Sequence, residues 1–312
     1  MYLGRLLIAL GGNAMLRAGQ RGTYDEQMEN IRISCQRLVE LYKEGHTMVI
    51  THGNGPQVGN LLIQNECASE SIPVQPLHSC VAQTQGQLGF MIQVGLENEF
   101  RLRGETIQAT SIMTRVLVDS NDQAFAESTK PIGPFFSEDH AKRQMAQGET
   151  WINDSNRGWR RVVPSPKPLR ILETEAIRKA LEHTGIVIAV GGGGVPVIEQ
   201  DNQLVGVEAV IDKDYASFLL ARDLQVDTFI MLTDVTNAKL NLDQPDETDL
   251  VNLTVVDAER YIAEGQFGIG SMAPKVEAAI DFIRAGGKRA IIASLSQVVA
   301  AVRGEAGTQI TP

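Results

Sequence analysis

Two lysines sit where helix electrostatics disfavour them. In Ile211-Asp212-Lys213-Asp214-Tyr215 a predicted helix begins, with Tyr215, Phe218 and Leu219 on its apolar face and Lys213 in its first turn. Lys275 follows Pro274, a residue suited to the first helical position, and precedes a stripe of Val276, Ala279, Ile280 and Ile283. A cation in a first turn is disfavoured by ~0.3–1 kcal/mol unless an anion lies close. Asp212 or Asp214 could simply cap the first helix, contributing roughly 0.5–2 kcal/mol, and a solvated lysine would tolerate its position. Two such lysines, both in short strand-to-helix segments, favour a shared anionic ligand. Phosphoryl transfer needs this inventory, because its transition state spreads negative charge over the transferred oxygens. An aspartate between the lysines would hold their ammonium groups, and no general base is required if the acceptor is already an anion.

The glycines point the same way. Three apolar runs end in glycine clusters: Leu6–Leu10 into Gly11-Gly12-Asn13, Met48–Ile50 into Thr51-His52-Gly53-Asn54-Gly55, and Ile186–Val190 into Gly191-Gly192-Gly193-Gly194. In an open parallel sheet ligands bind outside the carboxyl ends of strands, and glycine lets bare backbone N–H groups approach a phosphate. The standard nucleotide motifs are nonetheless absent. A G-x-G-x-x-G pattern would place its third glycine on Pro196 or Val58, and a P-loop at Gly287-Lys288 meets Phe282 and Arg289 at its required glycine and hydroxyl positions. There is no kinase catalytic-loop or nucleophile-elbow pattern. His46, His52, His78, His140 and His183 lack H-x-x-x-H spacing, so no protein-bound catalytic zinc is expected.

The elements that must carry these residues alternate. Met28, Ile31, Cys35, Leu38 and Tyr42 recur at helical spacing before Gly45. Thr47–Thr51, Ile186–Val190, Thr228–Leu232 and Ala290–Ala293 read as strands buried on both faces. Helical patterns lie at Pro56–Glu66, Val81–Arg101, Glu173–His183, Tyr215–Arg222, Ala258–Gly265 and Val276–Ala285. Such alternation predicts crossover units and an α/β fold with a sheet covered on both faces. One stretch, residues 118–168, breaks the rhythm with Pro131, Pro134, Pro164, Pro166 and Pro168 and both tryptophans, Trp151 and Trp159. A long insertion is usually a lid or binding element. The tryptophans, Phe125, Phe135 and Phe136 predict a small folded excursion with its own apolar cluster, and a purely decorative insertion is the alternative.

Composition sets the outer limits. At 43% hydrophobic and 21% charged the chain reads as a soluble globular protein. Its net charge of −10 argues against a nucleic-acid partner. No apolar stretch approaches the ~18 residues of a membrane span. Cys35, Cys67 and Cys80 show no metal-ligand spacing and suit a reduced cytoplasm, with Cys35 on a helix's apolar face.

At its motifs the chain resembles the carbamate kinases of the amino acid kinase family. The matching segments are Ala9–Ala14, Thr51–Gly59, Lys130–Phe135, Arg157–Arg160, Val163–Pro168, Gly191–Pro196, Ala209–Asp214 and Gly270–Lys275, collinear over nearly the whole chain. The resemblance implies a three-layer α/β/α sandwich around a mainly parallel sheet, a single domain over residues 1–312 with a protruding lid-like subdomain at 118–168, and a homodimer. It implies reversible phosphoryl transfer between carbamoyl phosphate with MgADP and carbamate with MgATP, mainly ATP-forming in arginine or purine nitrogen catabolism. Mg²⁺ would ride on the nucleotide phosphates, with no metal ligand from the protein. Gly11, Gly12, Asn13, Gly53, Asn54 and Gly55 would surround the carbamoyl phosphate. Gly191, Gly192, Gly193, Thr233, Asp234 and Lys275 would meet the nucleotide. Lys213 and Lys275 would stabilise the moving phosphoryl group and Asp214 would organise them. Related kinases carry a lysine just before the first Gly-Gly, where this chain has Ile8-Ala9-Leu10, and Lys130 of the excursion matches the lysine that replaces it. The family pattern is altered at His78, Asn153–Gly158, Thr233-Asp234-Val235 and Asp243-Gln244-Pro245. These changes leave open a paralogue acting on another small acid, or a catalytically silent nucleotide-binding regulator.

Overall fold

The computed structural model describes residues 4–17, 19–154, 158–268 and 272–312. Eight strands form the central sheet in the order Asn252–Thr254, Thr308–Thr311, Arg289–Ser294, Thr228–Thr233, Gly4–Leu10, His46–His52, Ile186–Ile188 and Thr110–Ser111. All pair in parallel except Arg289–Ser294 with Thr308–Thr311.

Successive side chains along these strands feed two different cores, as the period of two requires. Leu7, Ala9, Val49, Val187, Phe229, Met231, Ala290 and Ile292 pack with the helices Thr174–Thr184, Lys213–Asp223, Val255–Ala263 and Ala273–Arg284. Leu6, Ile8, Leu10, Met48, Ile50, Ile230, Leu232 and Ile291 pack with Tyr24–Lys43, Leu77–Leu102 and Val298–Val302. This is the three-layer α/β/α sandwich that the unbroken apolar runs imply.

Three details differ from the sequence reading. The predicted strand Ile186–Val190 stops at Ile188, because Val190 turns into the left-handed region (φ 53°). A β-branched residue rarely adopts that conformation, and the Val190 N–H is held by donating to Thr114 Oγ1 at 3.0 Å. A second sheet, in the order Gln203–Gly206, Val195–Gln200, Arg115–Val118 and Pro168–Ile171, escapes the sequence pattern. Its strands are short and mix buried with exposed positions, so neither an unbroken apolar run nor a clean alternation marks them.

The third concerns the excursion. Lys130–Phe136, Trp159–Val163 and Trp151–Asn153 form an antiparallel three-stranded sheet, accompanied by the helix Glu138–Met145. Its aromatic cluster is Phe136 stacked on His140 (ring centroids 4.3 Å apart), with Trp151 edge-on to both. Phe125 is not part of it and packs on the main core instead, while Phe135 is exposed. The sheet rests on the helix Gly55–Ala68 through a contact only two glycines permit. A Cβ on Gly59 would lie 2.0 Å from Gly133 Cα. Among the described residues, no helix is long and apolar enough to cross a membrane.

Candidate active site

The strand ends gather the glycine turns along one edge of the sheet. In sheet order Thr233, the last residue of its strand, is followed by Gly11 and Gly53, each directly after its strand, and by Gly191, three residues past Ile188. Gly11 packs so closely on the neighbouring strand that a Cβ there would lie 2.5 Å from the Leu232 carbonyl oxygen, whereas Gly12 and Gly55 face open space. The Asn13 side chain lies outside the described residues, as do Arg157, Gly270 and Ser271 of the family motifs.

The turn after His46–His52 and the turn after Ile186–Ile188 interlock. A Cβ on Gly192, itself at φ +64°, would lie 2.2 Å from Asn54 Nδ2. Asn54 is buried, and its Nδ2 donates to Thr84 Oγ1 at 2.8 Å. From the same helix, Gln85 clamps the Thr114 backbone in both directions, donating to its carbonyl at 2.9 Å and accepting from its N–H at 2.8 Å. Thr114 in turn holds Val190. One helix face therefore sets the spacing of two glycine turns.

The cations meet where the helix Lys213–Asp223 begins. Asp212 is its N-cap, accepting from the Asp214 N–H at 2.8 Å, so the capping role weighed from the sequence is filled by Asp212. Its other oxygen accepts from Lys130 Nζ at 2.5 Å, which brings the excursion's lysine to this segment. Asp214 takes Lys213 Nζ at 2.6 Å on one oxygen and Lys275 Nζ at 3.1 Å on the other. The Lys213 stem packs over Gly53, with its Cδ 3.5 Å from where a Cβ would sit, and Thr51 Oγ1 lies 2.7 Å from Ser217 Oγ. The helix is thereby fastened to the glycine turn it faces.

The charges do not cancel. Among the described residues, three ammonium groups meet two carboxylates in direct contact, and two of the three cations sit in helix first turns, where backbone N–H groups add positive field. Burial pushes the Lys213 ammonium below the ordinary lysine value, with Asp214 opposing and Lys275 reinforcing the shift. Burial would raise the Asp214 carboxyl, but Lys213 and Lys275 outweigh it and hold it well below the usual carboxylate range. For Asp212 likewise, Lys130 prevails over burial. With the Lys213 and Lys275 side chains only 14% and 13% exposed, the surplus charge is confined to a poorly solvated pocket. Such a pocket is complementary to a small anion.

The order of the strand ends separates the two groups of nucleotide candidates. Gly191 lies against His52, Gly192 against Asn54 and Gly193 against Ile211, whereas Thr233 neighbours Gly11 two strands away and Thr233 Oγ1 donates to Asp234 Oδ1 at 3.0 Å. Among the described residues no group of three or more His, Cys, Asp or Glu side chains is arranged to hold a metal ion.

The family model described as the amino acid kinase family matches residues 4–294. A carbamate kinase of Pyrococcus horikoshii is 50% identical over 312 residues, 99% of each chain. The chain belongs to the amino acid kinase family, among its carbamate kinases. Two structures of carbamate kinase from Giardia lamblia align over 99% of this chain and 98% of theirs. The one bound to citric acid has a TM-score of 0.95 at 42% identity, and the one bound to AMP-PNP has 0.92 at 43%.

Within this amino acid kinase two residues gain importance that the sequence alone did not assign. Asp212 is the partner of Lys130, and the alternation Asp212-Lys213-Asp214 was its only signal. His52 lies buried at the glycine turn with Nδ1 donating to the Gly53 carbonyl at 2.9 Å. Burial, reinforced by the Lys213 charge, lowers its pKa to about 4, so the ring is neutral at physiological pH.

Proposed function

We propose that this chain catalyses reversible phosphoryl transfer between carbamoyl phosphate with MgADP and carbamate with MgATP, working mainly toward ATP. The observation that carries the reading is the Asp214 carboxylate bridging Lys213 and Lys275 at 2.6 and 3.1 Å beside the Gly53 turn. Two ammonium groups fixed on one carboxylate cannot collapse onto each other or swing away. They present a preorganised positive field to a phosphoryl group in flight, which costs little reorganisation at the moment of reaction. Gly11, Gly12, Asn13, Gly53, Asn54 and Gly55 would line the carbamoyl phosphate side. The N–H groups of Gly191, Gly192 and Gly193 would face the shared phosphate, and Thr233 and Asp234 the more distant part of the nucleotide. Mg²⁺ would enter as part of the nucleotide substrate.

In this reading residues 118–168 act as a lid that carries Lys130 to the transferred group, with Asp212 holding its ammonium in place. Carbamate is already an anion, so no side chain has to remove a proton from it, and His52, neutral and bonded to its own turn, takes no part in proton transfer. A homodimer in the cytoplasm is the setting that the family resemblance suggests. The test is direct. Purified protein supplied with carbamoyl phosphate and MgADP should form ATP, and should do so faster than with acetyl phosphate. Absence of ATP from carbamoyl phosphate would remove the assignment, and preference for another acyl phosphate would reassign the acceptor.

A further inference from the structure

The strand Trp159–Val163 carries two adjacent arginines, and alternation sends them to opposite faces of the small sheet. Arg160 works inside the excursion. It donates to the Gly133 carbonyl at 3.0 Å, the Pro131 carbonyl at 3.3 Å and Asp154 Oδ2 at 3.0 Å. Arg161 crosses to the main body: its Nη1 lies 3.0 Å from Glu66 Oε1 and 2.9 Å from Glu149 Oε1. Glu149 is itself fixed by Trp151, whose Nε1 donates to Oε2 at 2.7 Å.

Glu66 belongs to the helix Gly55–Ala68, which opens at the Gly53-Asn54-Gly55 turn. Seven residues separate it from Gly59, two helical turns or about 10 Å along one face. Between the two points lies a cavity of about 290 Å³, lined by Leu62, Ile63, Ile132, Phe136 and Trp151, so packing of sheet on helix is interrupted there. The excursion meets this helix at Gly59 by close backbone contact and at Glu66 by an ion pair, beyond the packing of Ile132 and Val163 on Val58 and Leu62 and the Lys130–Asp212 bond. The ion pair is thus the contact at the far end of the helix from the Gly53–Gly55 turn. In the ladder Arg161 stands opposite Ile132, and Val163 opposite Lys130, so the arginine and the lysine move as one piece. Burial and the neighbouring Glu149 raise the Glu66 carboxyl, and Arg161, with His140 also facing it, counters that shift.

We propose that Glu66 and Arg161 form a positioning pair that sets the angle of the excursion and thereby holds Lys130 at the phosphoryl-transfer site. The inference rests on the reading of Lys130 as a catalytic cation. Both side chains are partly exposed, so the pair adds little to overall stability. Its effect falls on the population of the aligned excursion, and an exposed ion pair can change such a population by about fivefold.

The test is a double-mutant cycle on the full-length protein with Glu66→Gln, Arg161→Gln and the double variant, alongside Arg161→Lys and Lys130→Ala. Each single Gln variant should lower kcat for ATP formation by about fivefold, leave KM for ADP within about twofold, and keep the wild-type thermal midpoint. The double variant should be no worse than either single one, and Arg161→Lys should recover part of the loss. Wild-type kcat in Glu66→Gln, or losses that multiply in the double variant, would overturn the pairing while leaving Lys130 in place. Wild-type turnover in Lys130→Ala would instead overturn the lid reading and this inference with it.

Discussion

Replacing Gly59 by alanine sets helix propensity against lid position. In the interior of a helix alanine is favoured over glycine by roughly 0.5–1 kcal/mol, so local energetics alone make Gly59→Ala stabilising. The added methyl, however, would stand 2.0 Å from Gly133 Cα and 2.3 Å from Gly133 N. Non-bonded carbon atoms settle at about 3.5 Å or more, so the excursion must retreat by about 1.5 Å. The obstacle is backbone on both sides, and no side chain can rotate to relieve it. Gly133 lies three residues from Lys130 on the same strand, so the retreat is transmitted to the ammonium and stretches its 2.5 Å contact with Asp212 toward about 4 Å. Misplacing a reacting group by about 1 Å costs on the order of a hundredfold in rate. The assay is the initial rate of ATP formation from carbamoyl phosphate and MgADP, with KM for ADP and the thermal midpoint measured in parallel. We expect kcat to fall on the order of a hundredfold with KM little changed and the midpoint at or slightly below that of the wild type, because overpacking costs about 1–3 kcal/mol against the helix gain. A kcat within about twofold of the wild type would refute the argument, because it would mean that Lys130 is placed independently of this contact.

Three further outcomes are expected. Lys130→Ala should lower kcat by roughly 10²–10³, the range for loss of one preorganised stabilising group, with unchanged unfolding in urea and unchanged nucleotide affinity by calorimetry. Asp214→Asn leaves two poorly solvated ammonium groups without their shared carboxylate and should cost about 3–5 kcal/mol in urea denaturation, along with most activity. A variant of wild-type stability would show that Asp214 is not their counter-ion. His52 has a folded pKa of about 4 against an ordinary value of 6.5. The unfolded chain therefore binds the extra proton first, and stability falls as pH drops from about 6.5 to about 4, by up to ~3 kcal/mol from this one residue. His52→Gln should flatten that part of the stability–pH curve.

The sequence carried the layers of the fold because strands buried on both faces need unbroken apolar runs, and Leu6–Leu10 or Thr228–Leu232 could hardly be anything else. It carried the lysines because Lys213 and Lys275 violate a simple electrostatic preference. The second sheet was hidden for the converse reason: Gln203–Gly206 is short and exposed, and Arg115–Val118, short and only partly buried, acquires its pairing from distant chain. The left-handed turn at Val190 was equally invisible, since its conformation is imposed by Thr114, 76 residues away. Long-range partners also decided Asp212, whose capping role is local but whose bond to Lys130 spans 82 residues.

The stem of the excursion has a consequence for how such a chain can change. Val118 and Pro168, where the chain leaves the main body and returns, are paired neighbours in one antiparallel ladder. Nearby, the Lys167 N–H donates to Asp122 Oδ2 at 2.8 Å, closing the neck. The host sheet therefore sees residues 119–167 as a single long hairpin loop, and its strand order does not depend on what the loop contains. Segments inserted at such a neck can be lengthened, exchanged or removed without re-threading the chain. A first-strand lysine cannot be introduced so freely, since Ile8, Ala9 and Leu10 are wholly buried between the two cores. Placing a catalytic cation on a removable module makes that cation a portable part.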